Sequence, residues 1–226
     1  MAFVSADKWR DTTLRVFLAD DSSVRRRQLL VVLEAEADLL VVAESADIAA
    51  VPAIAEFAPA DVVVTATMAP PVGAARVLAG VRVHSPAAVG VVLGIPDDPA
   101  EAVAAVRNGA IAFLPTEAVL TQTAAAVRSA ALGLPILPDA VVAAVLDEVD
   151  RLGATGAAGG VRPPRLTDVE REVLLGVAAG ATWAALGDRL GVPAESAARI
   201  AHTALARLVR HQETVSAAME AGLLAR

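Results

Sequence analysis

Cysteine is absent from this 226-residue chain. That excludes a disulfide framework, a thiolate metal site and a cysteine nucleophile. Aromatic residues make up only 3%, so a core must be packed mainly with Ala, Val and Leu. Three histidines, His84, His202 and His211, stand at no regular spacing, which argues against a zinc site. There is a single lysine, Lys8, against many arginines, a coding bias that carries no function. No apolar run of about 18 residues escapes interruption by charge or proline. The opening "MAFVSADKWRDTTLRV" lacks the apolar stretch of a signal peptide. The expectation is a soluble, cytoplasmic protein with no membrane partner, no metal and no cofactor.

What is present is a chain 56% hydrophobic and 20% charged, able to bury a real core and long enough for two modest domains. The net charge of −7 does not favour nucleic acid, but it is unevenly placed. From Arg162 onward, eight arginines face seven carboxylates. The acidic excess therefore lies in the first 161 residues, and the C-terminal part is near neutral.

Short apolar runs alternate with segments of helical spacing. "LRVFLAD", "LLVVAES", "DVVVTA", "AVGVVLGIP" and "AIAFLP" read as strands. "RRRQLLVVLEAEA", "DIAAVPAIAEFAP", "VGAARVLAGVRVH", "DPAEAVAAVRNGA" and "EAVLTQTAAAVRSAALG" read as helices, with Asp47 a cap and Pro99 in a first turn. Five strands alternating with five helices predict an α/β fold with a parallel sheet covered on both faces. Continuous valine runs fit strands buried on both sides. "PDAVVAAVLDEVDRL" adds an amphipathic helix, and "GATGAAGGVRPPR" is the clearest linker. Beyond it only helices are predicted: one capped by Thr167, a short one from "TWAALGDRLG", a longer one opened by Pro193, and a fourth from "ETVSAAMEAGLL". A short helix, a tight turn at "GV" and a longer helix make a helix-turn-helix layout.

The stretch "DVVVTATMAPP" poses a question. In α/β proteins the end of such a strand is where chemistry sits, yet Thr65, Ala66 and Thr67 offer no strong acid, base, nucleophile or metal ligand. The pieces "LRVFLADDSSVRR", "ADVVV", "VRNGAIAFLP" and "AAAVRSAALGLPILPDAV", followed by "LTDVEREVLLGVAAGATWAALGDRLGVPAESA", supply an answer in their order and spacing. The chain resembles two-component response regulators of the NarL/FixJ type, a receiver joined to a LuxR-type DNA-binding domain, from about Leu14 to the end. The resemblance implies a five-stranded doubly wound parallel sheet of flavodoxin-like order and an all-α, four-helix helix-turn-helix domain. It places a receiver at residues 1–135, a linker helix and Gly/Pro linker at 136–165, and the DNA-binding domain at 166–226.

Receivers of this family use an acidic pair for Mg²⁺, an aspartate that accepts phosphate, a hydroxyl and a lysine, because phosphoryl transfer needs a nucleophile, a cation and partners for the phosphoryl oxygens. Here the acidic pair is Asp20 and Asp21, but the acceptor position falls on Ala66, the hydroxyl position on Gly94 and the lysine position on Thr116. The resemblance therefore implies a degenerate receiver that takes no phosphate. Two carboxylates without a third make a poor Mg²⁺ site, and Asp20–Asp21 read better as a solvated acidic loop end. Arg25, Arg26 and Arg27 read as an ordinary solvated helix start.

In the C-terminal part the candidate DNA contacts are Thr182, Ser196, Arg199, Arg207 and Arg210. The family's basic position falls on Ala198 and its histidine position on Ile200, so the recognition helix is depleted and binding as a monomer is expected to be weak. The arginines suit phosphate contact or plain exposed helical charge about equally. Ala197 and Ala198 suit apolar contact only, such as with a thymine methyl. Trp183 suits either a backbone contact or partial burial against the first helix of its domain. His202 and His211 read as surface residues without a role.

Taken together, the resemblance implies a regulator that binds promoter DNA without phosphorylation, with no catalytic residues. It acts as a homodimer or as a heterodimer with another response regulator. The Ala-rich helices Ala100–Arg107 and Glu117–Ala131 are the expected pairing faces, and Leu29 to Leu33 the alternative. The other reading is an interaction or ligand-sensing module, taking a partner regulator or a small-molecule ligand and contacting DNA little.

Overall fold

The computed structural model describes residues 13–66, 73–155 and 165–220. Five parallel strands, β1 (Leu14–Ala19), β2 (Leu39–Ser45), β3 (Val62–Ala66), β4 (Val89–Leu93) and β5 (Ala110–Leu114), lie in the order β2-β1-β3-β4-β5. Between them run α1 (Ser23–Glu34), α2 (Val51–Phe57), α3 (Gly73–Arg82) and α4 (Pro99–Arg107), with α5 (Val119–Ala131) after β5. This is the expected doubly wound α/β layout. The chain moves outward from β1 to β2 and returns to place β3 on the other side. The topological switch therefore lies between β1 and β3, at the strands' C-terminal ends.

Strands β1, β3, β4 and β5 form because their apolar runs are buried on both faces, whereas β2, at the sheet edge, departs from that expectation: its middle is only partly buried and Leu40 is exposed. Val62, Val63 and Val64 are fully buried, as are Phe17 and Phe113, the two largest side chains of the core. Side-chain caps set the starts of α1, of the turn before α2 and of α4. Ser22 accepts from the Arg25 N–H, Asp47 from Ala49 and Asp98 from Ala100. The Asp47 cap opens a single 3₁₀ turn, Ile48–Ala50, and α2 begins only after it.

The segment after α5 was not legible as structure. Ile136 bridges to Ala112, its N–H donating to Ile111 O at 3.0 Å and its carbonyl accepting from Phe113 N at 2.9 Å. It thereby covers the open edge of β5. Next, α6 (Asp139–Thr155) packs on α4. Arg107 of α4 pairs with Glu148 of α6.

The C-terminal helices are α7 (Asp168–Ala178), α8 (Trp183–Leu190) and α9 (Ala194–Glu220). Their core is Val173, Leu174, Leu186, Ala197, Ala201, Ala204 and Leu205, all buried. One expected boundary is absent: the third and fourth helices are one continuous helix, α9. Helix-forming residues fill "RLVRHQETVSAAME", with no glycine or proline to break it. Of the expected linker, residues 156–164 lie outside the described residues.

The expected pairing face on α4 is not open. Ala102, Val103, Ala105 and Val106 are buried, and α4 is packed by α3, α6 and α9.

Candidate functional site

Two places hold the residues singled out in the sequence. The first is the set of strand ends at the switch point. Asp20 follows β1 directly and is fully buried. Its backbone N–H donates to Ser45 O at 3.0 Å, which fixes the carboxylate beneath the start of α1. There Ser22 N donates to Asp20 Oδ1 at 2.8 Å. The Arg25 guanidinium closes over the same carboxylate: Nη2 donates to Oδ1 at 2.8 Å and Nε donates to Oδ2. Arg26 adds a third hold, Nη1 donating to the Asp20 carbonyl at 2.7 Å and Nε to Glu44 Oε2 at 3.0 Å. The Asp20 hydrogen bond holds the Arg25 guanidinium above its ordinary range.

This geometry corrects the reading of Asp20 as part of a solvated loop end and of Arg25 and Arg26 as a solvated helix start, while Arg27 is exposed as expected. A buried carboxylate must be paired and hydrogen-bonded, and one helical turn past the Ser22 cap is where a side chain reaches back to it. Asp21, by contrast, is more than half exposed, 3.8 Å from Arg25.

The ends of β3, β4 and β5 carry no charge. Ala66 closes β3 at 1% exposure, paired with Leu93 across the sheet. Thr65 is buried and its hydroxyl donates to Ala66 O at 3.1 Å; Thr67 lies outside the described residues. Gly94, just past β4, has φ +101. Its N–H donates to Leu114 O at 2.8 Å, a left-handed turn that a threonine or serine would strain. Thr116 is exposed at the start of a 3₁₀ turn. The Mg²⁺ that the resemblance implies does not fit this donor set. The buried carboxylate is already matched by a guanidinium, and among the described residues it belongs to no cluster of three metal-ligating side chains. Among the described residues no group of three or more His, Asp or Glu could hold a metal ion.

The second place is the helix-turn-helix. Thr167 and Glu170 form a reciprocal capping box at α7. Thr182 caps α8, its Oγ1 accepting from Ala185 N at 3.2 Å. Gly191 ends α8 in the left-handed region at φ +67, as the "GV" turn predicts. Gly187 lets that turn close. A Cβ on it would meet Val192 O at 2.5 Å and Ala194 N at 3.0 Å. Trp183 is half-buried against the core.

On α9, Ser196 Oγ accepts from Arg199 Nη2 at 2.9 Å, and Arg199 is exposed. Arg207, expected at a DNA face, instead pairs with the mostly buried Glu170. The side chain of Arg210 lies outside the described residues, as does that of His211. Ala197 and Ala198 are buried, so neither meets a base edge in this arrangement. Ala197 faces the domain's own core. α9 also packs along α4, while Arg171 of α7 pairs with Asp150 of α6.

Three features had no signal in the sequence. The Asp20–Arg25 grip spans five residues across a cap, a spacing no periodicity singles out. The Glu170–Arg207 pair spans 37 positions. His202, read as a surface residue, is mostly enclosed where α9 meets Gly133, and burial lowers its pKa.

No protein-family model matches the sequence, and no curated protein matches it. Solved structures do. The RcsB response regulator of Salmonella typhimurium covers 90% of this chain over 100% of its own, at 18% identity and a TM-score of 0.50. A LuxR-family two-component response regulator from an Aurantimonas species covers 61% of this chain and 98% of its own, at 21% identity and a TM-score of 0.51. At these identities the likeness establishes the fold: a receiver-like sheet with an added helical domain. No helix among the described residues is long and apolar enough to cross a membrane.

Proposed function

We propose that this chain is a DNA-binding transcriptional regulator of the response-regulator type, built from a degenerate receiver, a linker and a LuxR-type helix-turn-helix domain, and that it works without phosphorylation. It acts as a dimer on promoter DNA and is not an enzyme. The neighbour from Salmonella is described for its DNA interaction, which supports the reading of the C-terminal half. So does the capped α8, the left-handed Gly191 turn and the helix that follows.

The observation that carries the phosphorylation-independent part is the strand-end geometry. Arg25 fills the place a cation would take on Asp20, and β3 ends in a methyl group at Ala66. Without a carboxylate at 66 there is no acyl phosphate to form, and Thr65, its hydroxyl turned to a backbone carbonyl, has no activating base.

A second reading is favoured by α9 itself. With Arg207 committed to Glu170 and Ala198 buried, little polar surface is left to read bases. The chain then serves as an interaction or ligand-sensing module that modulates another regulator. A gel-shift against the protein's upstream region, over a salt series, separates the two. Retardation at low salt that weakens steeply with added salt supports the regulator. No retardation of any promoter fragment at low salt transfers the case to the interaction module.

A further inference from the structure

The continuous helix α9 lies against the receiver-like layer, along α4. His202 sits at that junction. Gly133, in the turn after α5, has φ +72, and a Cβ built on it would lie 3.2 Å from His202 Nδ1. The backbone turn and the imidazole therefore meet with no side chain between them. His202 Nδ1 is buried and has no hydrogen-bond partner. Ala198, one turn earlier on the same side of α9, is buried too.

The turn that meets the ring is uncharged. The segment from Leu132 to Pro138 holds Leu, Gly, Pro and Ile alone. The titratable groups on the packed elements include Glu101 and Arg107 on α4, Arg128 in the last turn of α5, Asp139 at the start of α6, and Arg199 and Arg207 on α9, with Arg128 paired to Glu36 and Asp38. Arg107 is paired with Glu148 and Arg207 with Glu170, and Arg199 donates to Ser196. Burial disfavours the protonated form of the imidazole.

We propose that His202 is a pH-sensitive latch: neutral, it lets α9 close against α4 and the Gly133 turn, and protonated, it releases α9 from the receiver-like layer. A neutral imidazole leaves one unpaired nitrogen in the slot. A protonated one puts an N–H on Nδ1, which has no hydrogen-bond partner there, and adds a full charge to a largely enclosed ring. The closed form therefore binds the proton less readily than the open form. The closed form is favoured most above the ordinary histidine value of about 6.5. Its advantage falls as pH drops through that value toward the lowered one, by at most about tenfold per pH unit for one proton. The effect on DNA binding rests on the function proposed above; the opening itself does not.

The test is small-angle scattering on the full chain from about pH 7.5 to about pH 5.5, the window in which a histidine titrates, with far-UV circular dichroism alongside. The wild type is expected to expand as pH falls while keeping its helix signal. His202→Leu and His202→Gln are expected to stay compact throughout, and His202→Arg to be expanded already at neutral pH. A wild type of constant size, an expansion that coincides with loss of helix, or neutral variants that expand with the wild-type midpoint each overturn the latch. A gel-shift at the same pH values separates the two proposals: opening without retardation supports the latch and counts against the DNA-binding reading.

Discussion

Arg25 grips the buried carboxylate of Asp20 at two points, Nη2 reaching Oδ1 at 2.8 Å and Nε donating to Oδ2. The side chain of Asp20 is fully enclosed while that of Arg25 is about a third exposed. The pair thus joins a costly buried anion to a partly hydrated cation. Removing the cation leaves the anion uncompensated. Arg25→Met is expected to destabilise the chain by about 2–4 kcal/mol, somewhat below a fully buried pair because Arg25 keeps part of its hydration. Urea unfolding measures it. A loss within the range of surface ion pairs, below about 1 kcal/mol, counts against a structural role for the grip.

Restoring one missing group does not restore the phosphorylation chemistry. Ala66→Asp supplies a carboxylate at the end of β3, but Gly94 and Thr116 still offer neither the hydroxyl nor the lysine, and Arg25 still holds Asp20. Intact mass after incubation with acetyl phosphate and Mg²⁺ is expected to be unchanged for both the wild type and Ala66→Asp. A hydroxylamine-labile phosphoryl adduct on the wild type contradicts the proposed function.

Burial pushes the Glu170 carboxyl up, but the Thr167 N–H at 2.8 Å, Arg207 and the Thr167 hydroxyl at 3.0 Å outweigh it and hold the group below its ordinary range. A depressed folded pKa contributes stability above the unfolded value of about 4.3 and loses it as pH falls through the folded value. Glu170→Gln is expected to cost about 1.5–3 kcal/mol at neutral pH, the range for hydrogen bonds to charged groups. The acid limb of its stability profile is expected to be flatter than that of the wild type. Thermal melts from neutral pH down through the carboxylate range check both.

Two glycines are required by close approach. At Gly90 a Cβ would stand 2.5 Å from a Leu78 methyl and 3.0 Å from the Ala110 Cα; at Gly187 it would strike the Val192 carbonyl at 2.5 Å. Gly90→Ala is expected to cost about 1–3 kcal/mol through overpacking. Gly187→Ala is expected to cost at least as much, because the obstacle there is backbone and cannot rotate away. Denaturant midpoints decide it, and unchanged midpoints in both variants count against this packing.

Arg199 is the candidate DNA contact whose side chain is described, exposed and on α9. Arg199→Ala is expected to weaken promoter retardation and to reduce the salt slope by about one phosphate contact. Arg207→Ala is expected to act differently, lowering stability through Glu170. An equal loss of binding with unchanged stability in both variants contradicts the inward placement of Arg207.

Much of this protein was legible in its sequence, because the signals there are local. Continuous Val and Leu runs fit strands, and their alternation with helical segments pointed to a parallel doubly wound sheet, though only the structure shows that the edge strand β2 is left partly open. Caps at Asp47, Thr167 and the Gly191 turn depend on neighbours within a few residues, so they too could be read directly. The blank at Ala66 is visible in the letters alone. What tertiary structure decided are the relations between distant positions. Whether a charged side chain meets water or a buried partner depends on which elements pack together. Periodicity is silent about Asp20 under Arg25, Glu170 under Arg207, and His202 against Gly133. The same reason closed the expected pairing face on α4: its small apolar residues allow close packing, and α6 and α9 of the same chain take it.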